Sequence, residues 1–218
     1  MTMTLTAADG HELQAFIAGP EDAEKGIVVL QEIFGVNSHI RDVCEFYASK
    51  GYRVIAPALF DRIESGVEMG YTAQDVDRGK QLKAKVSYDD ALKDIEAAAT
   101  ALAGQKQIGV VGFCWGGTLT WVAACRSSLF SAASCWYGAG IAELRNEKAK
   151  CPVQMHFGER DKSIPPEDVE AIRAAQPDVD VCVYDADHGF GCDQRGSYDP
   201  FASELARTRT VEFFKANL

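Results

Sequence analysis

The seven cysteines of this 218-residue chain form no C-x-x-C pair and no cysteine–histidine run with the spacing of a zinc site. An odd number of unpatterned thiols suits a reducing compartment with free cysteines, so the cytoplasm is the expected location. No stretch of about 18 apolar residues could span a bilayer, and Met1 to Gly10 lacks both the basic and the apolar region of a signal peptide. Basic residues are scarce: 22 Lys and Arg stand against 32 Asp and Glu, a formal charge of −10. Such a field repels phosphate backbones, so no nucleic-acid partner is expected. There is no internal repeat and no low-complexity segment, and the seven prolines are scattered. The length fits one domain over residues 1–218, as a monomer or small homo-oligomer.

What is present is a core-forming composition, 47% hydrophobic and 25% charged. Gly26 to Leu30 is a continuous apolar run that reads as a buried parallel strand. Asn37 or Ser38 caps a predicted helix with an apolar face of Ile40, Val43, Cys44 and Tyr47, ended by Gly51. A strand follows at Tyr52 to Ala56, and residues 58 to 88 read as a long connection or short helices at the rim of a site. Beyond them come a helix at Asp90 to Leu102, a strand at Gln107 to Phe113 and a helix at Gly116 to Cys125. Strands at Ala133 to Tyr137 and Val153 to Phe157 precede a proline-started helix at Pro166 to Ala175. A last strand, Val179 to Tyr184, leads to a helix from Ala202 to Ala216 expected to pack through Leu205, Val211 and Phe214. Strands alternating with helices predict an α/β, doubly wound, mostly parallel sheet, with ligands at the carboxyl ends of its strands.

The sharpest motif is Gly112-Phe113-Cys114-Trp115-Gly116-Gly117 between a strand and a helix. It matches the G-x-S-x-G nucleophile elbow with cysteine in place of serine. The turn puts the sulfur over a helix N-terminus, whose partial positive charge favours thiolate. A phosphate-binding loop would need Lys and Ser or Thr after the glycines, where Thr118-Leu119 stand. A cysteine phosphatase would need arginine at Thr120. Of the four histidines, His11 and His39 precede the nucleophile, and His156 lies inside a strand, where a satisfied core role is expected. His188 lies in the loop between the last strand and the last helix and is the candidate base. Asp161, just beyond the strand ending at Phe157, is the favoured orienting acid over Glu159, Asp185 and Asp187. The Ile33 and Trp115 N–H groups are the expected oxyanion donors, with the carboxylate of Glu32 beside them.

Together Gln31-Glu32-Ile33-Phe34-Gly35, the Cys114 elbow, and His188-Gly189-Phe190 with Arg195 and Tyr198 beyond resemble the dienelactone hydrolase family, of the α/β-hydrolase fold. The resemblance runs over essentially the whole chain. It implies opening of an unsaturated lactone in aromatic-compound breakdown by Cys114, Asp161 and His188, with no metal or organic cofactor. It also implies that Glu32 meets the thiol and helps generate thiolate, and that Arg78 grips a substrate carboxylate. The family's second carboxylate-binding arginine is replaced here by Cys192. Arg195 and Tyr198, in the same loop, are the remaining substrate-binding candidates. Two other functions fit the same motifs: a broader carboxylesterase or thioesterase, and a binding protein that keeps the fold without catalysis.

Overall fold

A computed structural model describes residues 1–218. Its centre is one eight-stranded sheet in the order β1-β2-β4-β3-β5-β6-β7-β8. The strands are β1 (Thr2–Thr6), β2 (Glu12–Ala18), β3 (Lys25–Leu30), β4 (Arg53–Pro57), β5 (Gln107–Phe113), β6 (Ala132–Trp136), β7 (Val153–Gly158) and β8 (Asp180–Tyr184). From β4 to β8 all pairings are parallel, and β1 and β2 add an antiparallel edge. The central strands are buried on both faces, with Ile27 to Leu30 and Val110 to Val111 fully enclosed, so they read as unbroken apolar runs. Strand β2, between β1 and β4, alternates exposed Glu12 and Gln14 with buried Leu13 and Ala15.

The helices are α1 (Ser38–Ala48), α2 (Ala73–Lys83), α3 (Tyr88–Ala101), α4 (Trp115–Arg126), α5 (Ile141–Leu144), α6 (Pro166–Ala175) and α7 (Pro200–Asn217). Asn37 caps α1 by accepting from the Ile40 N–H, and Ile40, Val43, Cys44 and Tyr47 form its buried stripe. Register assigns the faces. Ile27 pairs with Gly109, against which Phe214 and Leu218 of the α7 end pack. The neighbouring pair Gly26 and Ile108 points to the opposite face, where Leu102 at the end of α3 covers Gly26. Helices therefore cover both faces, and α1 meets α7 through Tyr47 and Phe214.

One expectation about packing is corrected. Leu205 is 46% exposed, and α7 docks instead through Ala202, Ser203, Ala206, Thr210, Val211 and Phe214. Those positions follow the three-to-four-residue spacing of one helical face, and Leu205 falls off it. The stretch 58–88 holds a 3-10 turn at Leu59–Arg62 and the eleven-residue α2, which Thr72 and Asp75 start with a capping box. No helix is long and apolar enough to cross a membrane.

His156 sits in the core of β7, fully buried. Its ring nitrogens face the hydroxyls of Tyr184 and Thr210 and the side-chain carbonyl of Gln154, at 2.8 to 3.0 Å. Burial pulls its pKa from 6.5 down to about 3. The folded protein therefore holds it neutral, whereas the unfolded chain takes up a proton as pH drops below about 6.5. Stability from this site is complete above pH 6.5 and is lost as pH falls toward 3. The melting temperature of the wild type is expected to fall more steeply across that window than that of His156→Asn. Parallel curves would assign the acid lability to other groups.

Candidate active site

Three loops at the carboxyl ends of β5, β7 and β8 bring Cys114, Asp161 and His188 together. Cys114 takes φ 56° and ψ −114°, a conformation that side chains other than glycine rarely adopt. The turn is that tight because the flanking glycines are in backbone contact. A Cβ on Gly112 would lie 2.2 Å from the Gly116 carbonyl oxygen, and one on Gly116 would lie 2.4 Å from that of Leu30. No side chain fits at either position. The Cys114 N–H donates to the Trp136 carbonyl at 3.0 Å, which ties the elbow to the end of β6.

The His188 Nε2 lies 3.2 Å from the Cys114 sulfur, and its Nδ1 lies 2.6 Å from Asp161 Oδ2. Asp161 is buried, and its other oxygen accepts from the Ser163 N–H at 2.8 Å, so the carboxylate is held on both sides. Asp187 accepts from the His188 backbone N–H, and Asp185 pairs with Arg160, which removes both from contention for Nδ1. Ser197 Oγ donates to the His188 carbonyl and pins the loop. Burial opposes the charged imidazole, but the Cys114 sulfur and the Asp161 carboxylate outweigh it and push His188 up to about 10.

Trp115 is the first residue of α4, where an N–H has no intrahelical acceptor, and its ring stacks on Phe60 at 5.2 Å. The Ile33 N–H makes no hydrogen bond within the chain. Helix α2 presses on this loop: a Cβ on Gly79 would lie 2.2 Å from the Ile33 carbonyl oxygen. Both N–H groups are thus free to donate.

Glu32 is 1% exposed, and its Oε1 accepts from Arg195 Nη1 at 2.9 Å. No hydrogen bond joins it to the Cys114 thiol, which His188 engages instead. The Arg195 guanidinium packs over Gly189, where a Cβ would lie 2.5 Å from it, and over the rings of Phe34 and Tyr71. Arg195 therefore stands next to the triad. Arg78 does not: on α2 it pairs at the surface with Glu64. Tyr198 lines a groove of about 530 Å³ between α1 and α7, with Phe46, Lys50 and Arg207. Sequence reasoning missed Tyr137. Its φ is 38°, it is fully buried, and its ring meets that of His188 edge-on at 5.3 Å, with no partner for its hydroxyl. Its place at the carboxyl end of β6 was the available signal.

The dienelactone hydrolase family model matches residues 13–218. The chain belongs to the dienelactone hydrolase family. A Synechocystis protein named "Putative carboxymethylenebutenolidase" is 39% identical over 212 residues, 88% of this chain and 86% of that protein. An Escherichia coli protein of the same name is 33% identical over 97% of this chain and 85% of its own length. The crystal structure of a "Putative Dienelactone Hydrolase" from Klebsiella pneumoniae superposes with a TM-score of 0.84, at 30% identity, covering 99% and 98% of the two chains. An esterase from Pyrococcus furiosus shares the fold, with a TM-score of 0.75 at 19% identity. The chain is a dienelactone-hydrolase-type hydrolase of the α/β-hydrolase fold.

Proposed function

We propose that this hydrolase opens a lactone or cleaves an ester through a covalent thioester on Cys114. The contact chain Asp161–His188–Cys114, seated on a strained elbow, carries the proposal. In it, the Cys114 thiolate attacks the carbonyl carbon, and the oxygen that gains charge is met by the Ile33 and Trp115 N–H groups. Collapse breaks the carbon–oxygen bond, and His188 gives its proton to the departing oxygen, which in a lactone stays tethered to the acyl group. His188 then takes a proton from water. The resulting hydroxide attacks the thioester, releasing the carboxylate product and the Cys114 sulfur. The seven free thiols agree with work in the cytoplasm.

Selectivity rests on Arg195. Glu32 uses Nη1, and no hydrogen bond engages Arg195 Nη2 or Nε, so these are the donors that would grip a substrate carboxylate. Glu32 holds the guanidinium in place in this account, in exchange for the direct contact with the thiol that the resemblance implies. A broader ester range is favoured by one observation: Arg78 lies on Glu64 and Cys192 stands where a second arginine is expected, leaving a single anchor.

Arg195→Lys tests this without leaving Glu32 buried and unpaired. A point charge replaces the planar fork, so KM for a dienelactone should rise about tenfold, the loss expected from a charge-assisted hydrogen bond of about 1.5 kcal/mol. Neutral aryl ester hydrolysis should hardly change, and Arg78→Ala should affect neither substrate. Equal effects on both substrates would place the natural substrate among uncharged esters.

A further inference from the structure

Beside Glu32 lie two groups that the hydrolytic reaction does not use, His39 of α1 and Cys192 of the loop after β8. One ligand atom from each of the three side chains lies within 4.8 Å of the other two. All three residues are 1% exposed or less. Two buried atoms here have no hydrogen-bond partner, Glu32 Oε2 and His39 Nε2. Such orphans cost stability and call for an explanation. The other ring nitrogen of His39, Nδ1, stands 3.5 Å from the carboxylate of Asp193. A proton held there by Asp193 leaves the lone pair on Nε2, the arrangement that a carboxylate gives a metal-binding histidine.

We propose that Glu32, His39 and Cys192 form a binding site for a thiophilic divalent cation, zinc being the best fit, and that filling it inhibits the enzyme. Thiolate, imidazole and carboxylate together select zinc over magnesium or calcium, which take oxygen donors. Around a tetrahedral zinc ion such donors stand roughly 3.3 to 3.7 Å apart, given metal–ligand bonds of about 2.0 to 2.3 Å. Side-chain rotation closing the cluster by about 1 Å reaches that spacing. On binding, the Cys192 thiol proton leaves to solvent, and the two anionic ligands balance the ion's charge. The same carboxylate then serves the metal and Arg195, so the ion weakens the hold of Glu32 on the substrate anchor. That consequence rests on the role given to Arg195 above. The binding itself does not.

The test uses Co2+ as a spectroscopic stand-in, first in Cys114→Ala, so that the catalytic thiol and His188 cannot supply the site. One equivalent should bind and give a thiolate-to-cobalt charge-transfer band, displaced by one equivalent of Zn2+. The band should vanish when Cys192→Ser is added. It should need at least about tenfold more cobalt with Asp193→Asn, a change at a half-exposed side chain that keeps the core intact. Wild-type hydrolysis of a dienelactone should be inhibited by Zn2+ and restored by chelator, while that of a neutral aryl ester should hardly change. No band in Cys114→Ala, or a band that survives Cys192→Ser, overturns the site. A band that follows Cys192, with lactone turnover indifferent to Zn2+ or with ester and lactone turnover equally inhibited, overturns the inhibition through Arg195.

Discussion

Cys114→Ala is expected to lower kcat by about five to six orders of magnitude, the loss seen when a triad nucleophile is removed, with the fold retained. The sulfur is half-buried at the elbow, 3.2 Å from His188, and no other side chain lies in that position. Selective chemistry should follow. Burial pushes the Cys125 thiol up to about 12 and that of Cys151 to about 11, and Cys182 is raised as well. Cys44, Cys135 and Cys192 are enclosed. One equivalent of iodoacetamide should therefore alkylate Cys114 first and abolish activity in proportion. Peptide mapping that finds the label elsewhere in a fully inactivated sample would remove Cys114 from the role.

Asp161→Asn should lower kcat by about four orders of magnitude with little change in melting temperature. An amide keeps the size of the carboxylate and can still accept from the Ser163 N–H. It no longer offers a charged acceptor to His188 Nδ1, so the imidazole loses the partner that fixes its tautomer and stabilises its protonated form. The pKa of His188 should fall from about 10, because the Asp161 carboxylate is one of the two groups holding it up. The imidazolium should then be lost at lower pH in Asp161→Asn than in the wild type, which titration of the ring by NMR reads directly. An unchanged titration with unchanged turnover would show that Asp161 only supports the loop.

Most of this architecture is legible in the sequence because the parallel strands are buried on both faces. Runs such as Ile27 to Leu30 and Ile108 to Val111 carry no polar interruption, and the helices between them carry clear caps. The antiparallel edge is harder to see. Thr2 to Thr6 buries only Leu5, and Glu12 to Ala18 has only a short apolar end, Ala15 to Ala18, after exposed Glu12 and Gln14. Neither forms a long buried run, and the main signal is an alternation of period two. The site divides similarly. Cys114 and His188 stand out through the strained glycine elbow and the position of a loop between the last strand and helix. Arg78 and Tyr198 illustrate the limit. A position carried over from a resemblance fixes a residue's neighbourhood along the chain, but the side chain goes to its nearest strong partner, here Glu64 for Arg78. The pairing of Glu32 with Arg195 spans 163 residues, and the meeting of His39 with Cys192 likewise joins distant segments. Only the fold makes such contacts visible.

The covalent step is the centre of this account, and rapid quenching with an activated aryl ester reads it most directly. Acid-quenched protein should gain the mass of one acyl group within the first turnover, and peptide mapping should place it on Cys114 as a thioester that hydroxylamine removes. Turnover at the normal rate with no acylated species, or an acyl group on another residue, would contradict it.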